Sequence, residues 1–233
     1  TVDYGDGSGV QALALTGTAF TLDHTFAEDG VYTVTVAVTD SADRVGTDTL
    51  VVAVRNVAPS VELGTGHLGV PEGTEHVHTH FFSDPGAGDT HTLTLDWGDG
   101  SPVETQESSA DASGGISIPL LHTYRDDGEY TLTVTVTDDD GGVGMDTAVM
   151  HVVNQAPVVT LGVDHFGVPE GTEHVHTHFF SDLGAGDTHE LVIDWGDGSP
   201  VDTLGPPLTP GRNPYTFTHT YASPGAYTIV VRL

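Results

Sequence analysis

The chain repeats itself, and that restricts its fold more than any other feature. Residues 67–103 and 165–201 agree at 32 of 37 positions at an offset of 98 residues. Two shorter blocks occur three times. One reads His24-Thr25-Phe26, His122-Thr123-Tyr124 and His219-Thr220-Tyr221, each followed by Gly-x-Tyr and an alternating run. The other reads Asp3-Tyr4-Gly5-Asp6-Gly7, then Asp96-Trp97-Gly98-Asp99-Gly100, then the same pattern at 194–198. A period of this length is that of a whole small domain used several times, each copy with its own core.

That unit is all-β. Residues 128–138 read GEYTLTVTVTD and residues 30–40 read GVYTVTVAVTD, the period-two alternation of a half-buried strand. No segment carries a sustained helical period. Short alternating strands in a unit of about 100 residues predict tandem immunoglobulin-like β-sandwiches. Asn56-Val57-Ala58-Pro59 and Asn154-Gln155-Ala156-Pro157 recur at one phase and read as linkers, because proline cannot continue a central strand. The phasing predicts the C-terminal part of one domain over 1–56, a complete domain over 57–154, and a third over 155–233 that lacks its last strand. The chain therefore reads as a piece of a longer array. Residues 105–115 and 205–214, rich in small residues, Gly and Pro, read as loops.

These blocks resemble the polycystic kidney disease (PKD) domain family. Its hallmark is a Trp-Gly-Asp-Gly turn, then His-x-Tyr, then Gly-x-Tyr leading an alternating Val/Thr strand that ends in Asp. All stand here in order, and Phe82-Ser83-Asp84-Pro85-Gly86 is similar to the family's segment ahead of the third strand. The resemblance implies a β-sandwich in extracellular or cell-surface proteins, used as a spacer, adhesion or carbohydrate-associated module, without catalysis. The departure is the second strand, which reads His76-Val77-His78-Thr79-His80 where Val/Leu/Thr alternation is expected. Read from the residues alone, the hallmark is structural. Trp97 shares parity with Leu93 and Leu95 and should face the core. Gly98 and Gly100 permit positive φ, and Asp96 and Asp99 can bond turn amides.

Charge narrows the partners. There are 34 acidic residues against 5 basic ones, none a lysine, and the formal net charge is −29. Such a surface repels nucleic acid and anionic membranes and attracts cations. It suits either calcium-neutralised carboxylates or a saline medium that screens self-repulsion. There is no cysteine, so no disulfide braces the domains, and without lysine no lysine–asparagine isopeptide does. No apolar run approaches the roughly 18 residues of a membrane span, so no membrane insertion is expected in this segment.

Strands alternate in direction, and this sorts the carboxylates. One pole of the middle domain should carry Asp84, Asp89, Asp138, Asp139 and Asp140 and face the preceding domain. The other should carry Glu72, Asp99, Asp126 and Asp127, lie near Asn154, and face Asp182 and Asp187 of the third domain. Calcium takes about 6–8 oxygen ligands, and converging loops with an Asn linker can supply them. An ion at each junction would turn a flexible string into a stiff rod. Two other matches are weak. Gly141-Gly142-Val143-Gly144-Met145-Asp146 opens like one calcium β-roll repeat, which needs several consecutive copies. His189-Glu190 opens like a zinc-protease motif, but position 193 is Ile and the segment is a strand.

His76, His78 and His80 lie on one face of a strand, about 6.5–7 Å apart, and His174, His176 and His178 repeat them. His91 and His189 open the next strand near the same pole. Such imidazoles can bind zinc, copper or nickel, form a packing or assembly contact that charges in acid, or have no special role. Parity with Phe82 turns them inward, whereas Val77, Thr79 and Phe81 offer an alternative inward set. The leading functional expectation is a calcium-stiffened spacer or adhesion array, its partners being neighbouring domains and a surface or matrix ligand. The alternatives are a subunit of an extracellular filament, by β-augmentation at open edges, and a polysaccharide-binding accessory of a hydrolase. No nucleophile elbow and no distinct acid/base pair points to an enzyme.

Overall fold

The computed structural model describes residues 1–64, 67–108, 115–161, 167–206, 208 and 211–233. All regular structure among them is β. In the first repeat, β1 (Val2–Asp3), β2 (Gly30–Thr39) and β3 (Val45–Val54) form one antiparallel sheet, β1-β2-β3. The second repeat contributes β4 (Ser60–Glu62), β5 (His67–Pro71), β6 (His76–Ser83), β7 (His91–Asp96), β8 (Glu104–Ser108), β9 (Ile116–His122), β10 (Gly128–Asp138) and β11 (Val143–Val153). Their orders are β4-β6-β9 and β5-β11-β10-β7-β8, the two sheets of a sandwich. The third contributes β12 (Val158–Thr160), β13 (His174–Ser181), β14 (Leu191–Asp194), β15 (Asp202–Leu204), β16 (Gly211–His219) and β17 (Val230–Arg232), ordered β12-β13-β16 and β15-β14-β17.

The two stretches expected to be loops are partly strand. Residues 104–108 pair with β7 as β8, and residues 211–219 pair with β13 as β16. Glu104-Thr105-Gln106-Glu107-Ser108 lacks the apolar alternation of a strand because β8 is an edge with exposed side chains. The remainder of both stretches lies largely outside the described residues.

By backbone proximity the chain forms two compact units. The first comprises Thr1–Gly66, His78–Leu120 and Thr131–Val149, the second His67–Val77, Leu121–Tyr130 and Met150–Leu233. In the first unit β7 and β10 pair with Leu95 opposite Val134 and Leu93 opposite Val136, all four buried beside Trp97. The Trp97 indole N–H donates to Glu104 Oε1 at 2.9 Å. In the second unit Leu191, Ile193 and Trp195 are buried in the same way, and the Trp195 N–H donates to Asp202 Oδ2 at 2.7 Å.

The hallmark turn follows from its residues. Asp96 Oδ1 accepts the Gly98 N–H at 3.0 Å and Asp99 Oδ1 the Ser101 N–H at 2.9 Å. Gly98 has φ +76°, and a Cβ there would meet the Thr131 carbonyl oxygen at 2.5 Å. Gly100 has φ +81° but nothing within 4 Å of an added Cβ. Gly98→Ala is therefore expected to cost more than Gly100→Ala, by roughly 1–2 kcal/mol, since only the first adds a backbone clash to the left-handed strain. Urea midpoints of the two variants check this, and equal losses would refute the close approach.

The facing of the histidine strand is settled by packing. Along β6, His78, His80 and Phe82 are buried while Val77, Thr79 and Phe81 are exposed, and β13 repeats the pattern. Pairing places Phe82 opposite Val61 of β4, which fixes parity for the whole strand.

Candidate metal centres

In the first unit three loops converge. Residues 84–89 turn tightly, with Asp84 Oδ1 accepting the Gly86 N–H at 3.0 Å. The Ala87 N–H donates to the Ala27 carbonyl at 3.1 Å, which seats the turn on residues 26–30 of the first repeat. Gly88 lies directly against the Glu28 side chain, with no room for a Cβ. The third loop follows β10. Asp138 Oδ1 accepts the Gly142 N–H at 2.6 Å, and its Oδ2 accepts the Asn56 side-chain amide at 2.8 Å.

This convergence assembles two ligand groups. Asp84, Asp89 and Asp138, all buried, present oxygens within 4.8 Å of one another, and so do Glu28, Asp89 and Asp140. His91 Nε2 lies 3.2 Å from Asp84 Oδ2, so it orients that carboxylate. No described ion pair brings an arginine to the cluster. Burial, with the charges of Asp84, Glu28 and Asp138, pushes the Asp89 carboxyl up to about 6. Burial and the neighbouring Asp29 carboxylate likewise raise Asp140. Asp139 stands apart, because it accepts the Thr90 N–H at 2.9 Å and is held below the ordinary range.

The second unit builds the same arrangement 98 residues on. The Ala185 N–H donates to the Arg125 carbonyl at 2.7 Å and the Gly186 N–H to Asp126 Oδ1 at 3.2 Å. The acidic loop is pinned from below, since the Tyr130 hydroxyl donates to the carbonyls of Asp126 and Asp127 at 3.0 and 3.3 Å. Glu72, Asp126 and Asp127 form one ligand group, and Asp182, Asp187 and His189 another. Glu72 follows β5, which pairs parallel with β11; its N–H donates to the Val153 carbonyl at 3.2 Å. Its side chain is 0 % exposed. Oε1 accepts the Gln155 N–H at 2.6 Å, whereas Oε2 is buried with no hydrogen-bond partner. The two groups adjoin at Gly184, where a Cβ would lie 2.5 Å from Asp187 Oδ2 and 2.9 Å from Glu72 Oε2. Asn154 lines one pocket with Asp182, Asp187 and His189. Burial opposes ionisation of Asp182, but hydrogen bonds from His189 and two backbone N–H groups outweigh it, so its carboxyl is lowered. Burial and three neighbouring carboxylates raise Asp187.

Among the expected calcium residues, Asp84, Asp89, Asp138, Asp140, Glu72, Asp127, Asp182 and Asp187 fall in these groups, and Asn154 adjoins them. Asp99 does not; it belongs to the hallmark turn. Glu28 was missed by sequence reasoning, although it precedes Asp126 by one repeat length. The matching loop of the third repeat reads Ala222-Ser223-Pro224 and has no carboxylate.

The histidines divide. His91 and His189 face Asp84 and Asp182. His78 and His80 lie parallel in the core with ring centroids 6.1 Å apart, His78 being 5.7 Å from Trp97. His176 and His178 repeat this at 6.3 Å, with His176 4.8 Å from Trp195. None of these four belongs to a ligand group among the described residues, nor do His76 and His174. Two of the hallmark histidines pair with the aspartate of their own hallmark turn. His24 Nε2 contacts Asp6 Oδ2 at 2.6 Å and His219 Nε2 contacts Asp197 Oδ2 at 2.9 Å. Hydrogen bonds from Ser199 and His219 hold the Asp197 carboxyl at about 2.

The sequence model of the PKD domain matches residues 1–54 and 56–153. No curated protein sequence matches significantly. Solved structures similar to the chain include the PKD domain of an M14-like peptidase from a Thermoplasmatales archaeon, 26% identical, with 42% of this chain and 96% of that one covered and a TM-score of 0.32. The PKD1 domain of Vibrio anguillarum Epp is 22% identical, with the same coverages and a TM-score of 0.29. Fibronectin(III)-like modules of Clostridium thermocellum CbhA are 17% identical over 65% of this chain and 76% of theirs, with a TM-score of 0.31.

Proposed function

Because the chain belongs to the PKD-domain family, whose members are generally non-catalytic and common in extracellular proteins, we propose that it is a spacer or adhesion array of a secreted or cell-surface protein, with calcium bound where consecutive repeats meet. The observation that carries the calcium reading is Glu72. A fully buried carboxylate oxygen without a donor is costly, and here it sits beside Asp126, Asp127 and Asp187. A hard cation with oxygen ligands would satisfy all of them. Bound ions would join loops of successive repeats and stiffen the array. Val77 and Phe81, and again Val175 and Phe179, are exposed at matching positions, a surface that suits the second reading, lateral contacts within a filament.

A thermal melt of the whole chain at physiological salt, with calcium or with excess chelator, tests the first reading. An ion held 100-fold above its dissociation constant adds about 2.7 kcal/mol, which at about 2–4 °C per kcal/mol raises the midpoint by roughly 5–10 °C per site. A midpoint that ignores calcium but rises with molar sodium chloride would leave an acidic, salt-adapted spacer instead.

A further inference from the structure

We propose that the cluster in the first unit holds two cations of the calcium class that share the Asp89 carboxylate, an inner ion seated on Asp84 and Asp138 and an outer ion seated on Glu28 and Asp140. This rests on the calcium reading above and specifies how many ions sit there and what each does.

Asp89 belongs to both ligand groups. Within each group the oxygens lie within 4.8 Å of one another, the separation that metal–oxygen bonds of about 2.3–2.6 Å allow across a single ion. Asp89 is 4 % exposed, and among the described residues no donor reaches its carboxylate. Asp84 and Asp138, by contrast, each accept backbone and side-chain hydrogen bonds, so they are held in place with lone pairs to spare. A carboxylate on a nearly buried residue, shared by two sets of carboxylates, is the expected shape of a bridging ligand. Charge points the same way. Glu28, Asp84, Asp89, Asp138 and Asp140 meet here, and Asp29 adds its charge beside Asp140. One divalent ion would leave most of that charge uncompensated.

The two seats differ in what they join. Asp84, Asp89 and Asp138 all belong to the second repeat and are buried, so the inner ion completes that repeat's own fold. Glu28 comes from the first repeat, and Glu28 and Asp140 are exposed. The outer ion alone therefore ties two repeats together. It exchanges with solvent more readily and binds in a later step, after the inner ion has neutralised part of the shared site.

Native mass spectrometry of the intact chain in calcium tests this by counting ions. The double variant Glu28→Gln/Asp140→Asn alters exposed side chains only and is expected to retain one ion fewer than the unaltered chain. Adding Asp84→Asn should remove one more. Calorimetric titration of the double variant, which does not depend on the triple variant folding, should lose the weaker calcium step and keep the tighter one. An unchanged ion count in the double variant, or loss of both steps together, would mean a single shared ion and overturn the proposal while leaving calcium at the junction intact. If the unaltered chain binds no calcium at all, the calcium reading itself falls, which is a separate result.

Discussion

Replacing Trp97 by alanine is expected to lower the stability of the fold by about 3–5 kcal/mol, the range for deleting a buried tryptophan. Trp97 is 1 % exposed. Its loss leaves a cavity beside His78 and strips Glu104 Oε1 of the indole donor. Against a total of about 5–15 kcal/mol for a typical domain, this is enough to melt the second repeat under mild conditions. Equilibrium urea denaturation measures the loss. The chain has two tryptophans, so the variant's remaining fluorescence reports on Trp195 in the third repeat. A Trp97→Phe variant should recover more than half of the loss, because the ring is restored and only the donor is missing. A loss under about 1 kcal/mol for the alanine variant would mean that the indole is not part of a closed core.

Asp89→Asn is expected to change stability in opposite directions with and without calcium. In chelator the carboxyl titrates at about 6 in the fold, above its unfolded value of about 3.9. An acid whose folded value is raised is bound more tightly to its proton in the native state. Its ionisation therefore destabilises the fold above pH 6, and that penalty fades as pH falls through 6 toward 4. The shift corresponds to about 1–3 kcal/mol once solvent screening is allowed for. Asparagine removes the charge, so the variant should be more stable than the parent by that amount at pH 7 in chelator, with a flatter profile between pH 7 and 5. In calcium the order reverses, because the parent gains the ions and the variant has lost the bridging charge. Below pH 4 both should weaken together as Asp197 and Asp182, whose folded values are lowered, take up protons. Melts at pH 7, 6, 5 and 3 in chelator and in calcium separate these effects. A variant less stable than the parent in chelator would show that Asp89 is not electrostatically frustrated in the cation-free fold.

Much of this candidate site is legible in the sequence. The alternating strands and the strict repeat placed Asp84, Asp89 and Asp138 at one pole and Glu72, Asp126 and Asp127 at the other, because strand direction is set by topology and loops inherit their pole from it. Glu28 is legible only through its correspondence with Asp126 one repeat length on, because nothing in its own hallmark block marks it as a ligand. Asp99 joins none of the ligand groups among the described residues and accepts the Ser101 N–H of its own turn. Pole assignment is too coarse to separate a carboxylate that caps its own turn amides from one that reaches a neighbouring loop.

The repeat, the all-β period and the charge imbalance were determined by the sequence alone, since each is a one-dimensional pattern that survives whatever the chain does in space. Which face of β6 and β13 is buried, that Asp89 joins two ligand groups, and that Glu72 carries an orphaned oxygen were decided only by the tertiary structure. Facing depends on cross-strand register, where a slip of one residue exchanges the two faces. Hydrogen-bond satisfaction depends on which loop comes within about 3 Å, a distance that Asn56 and Asp138, or Glu72 and Gln155, acquire only when the chain folds.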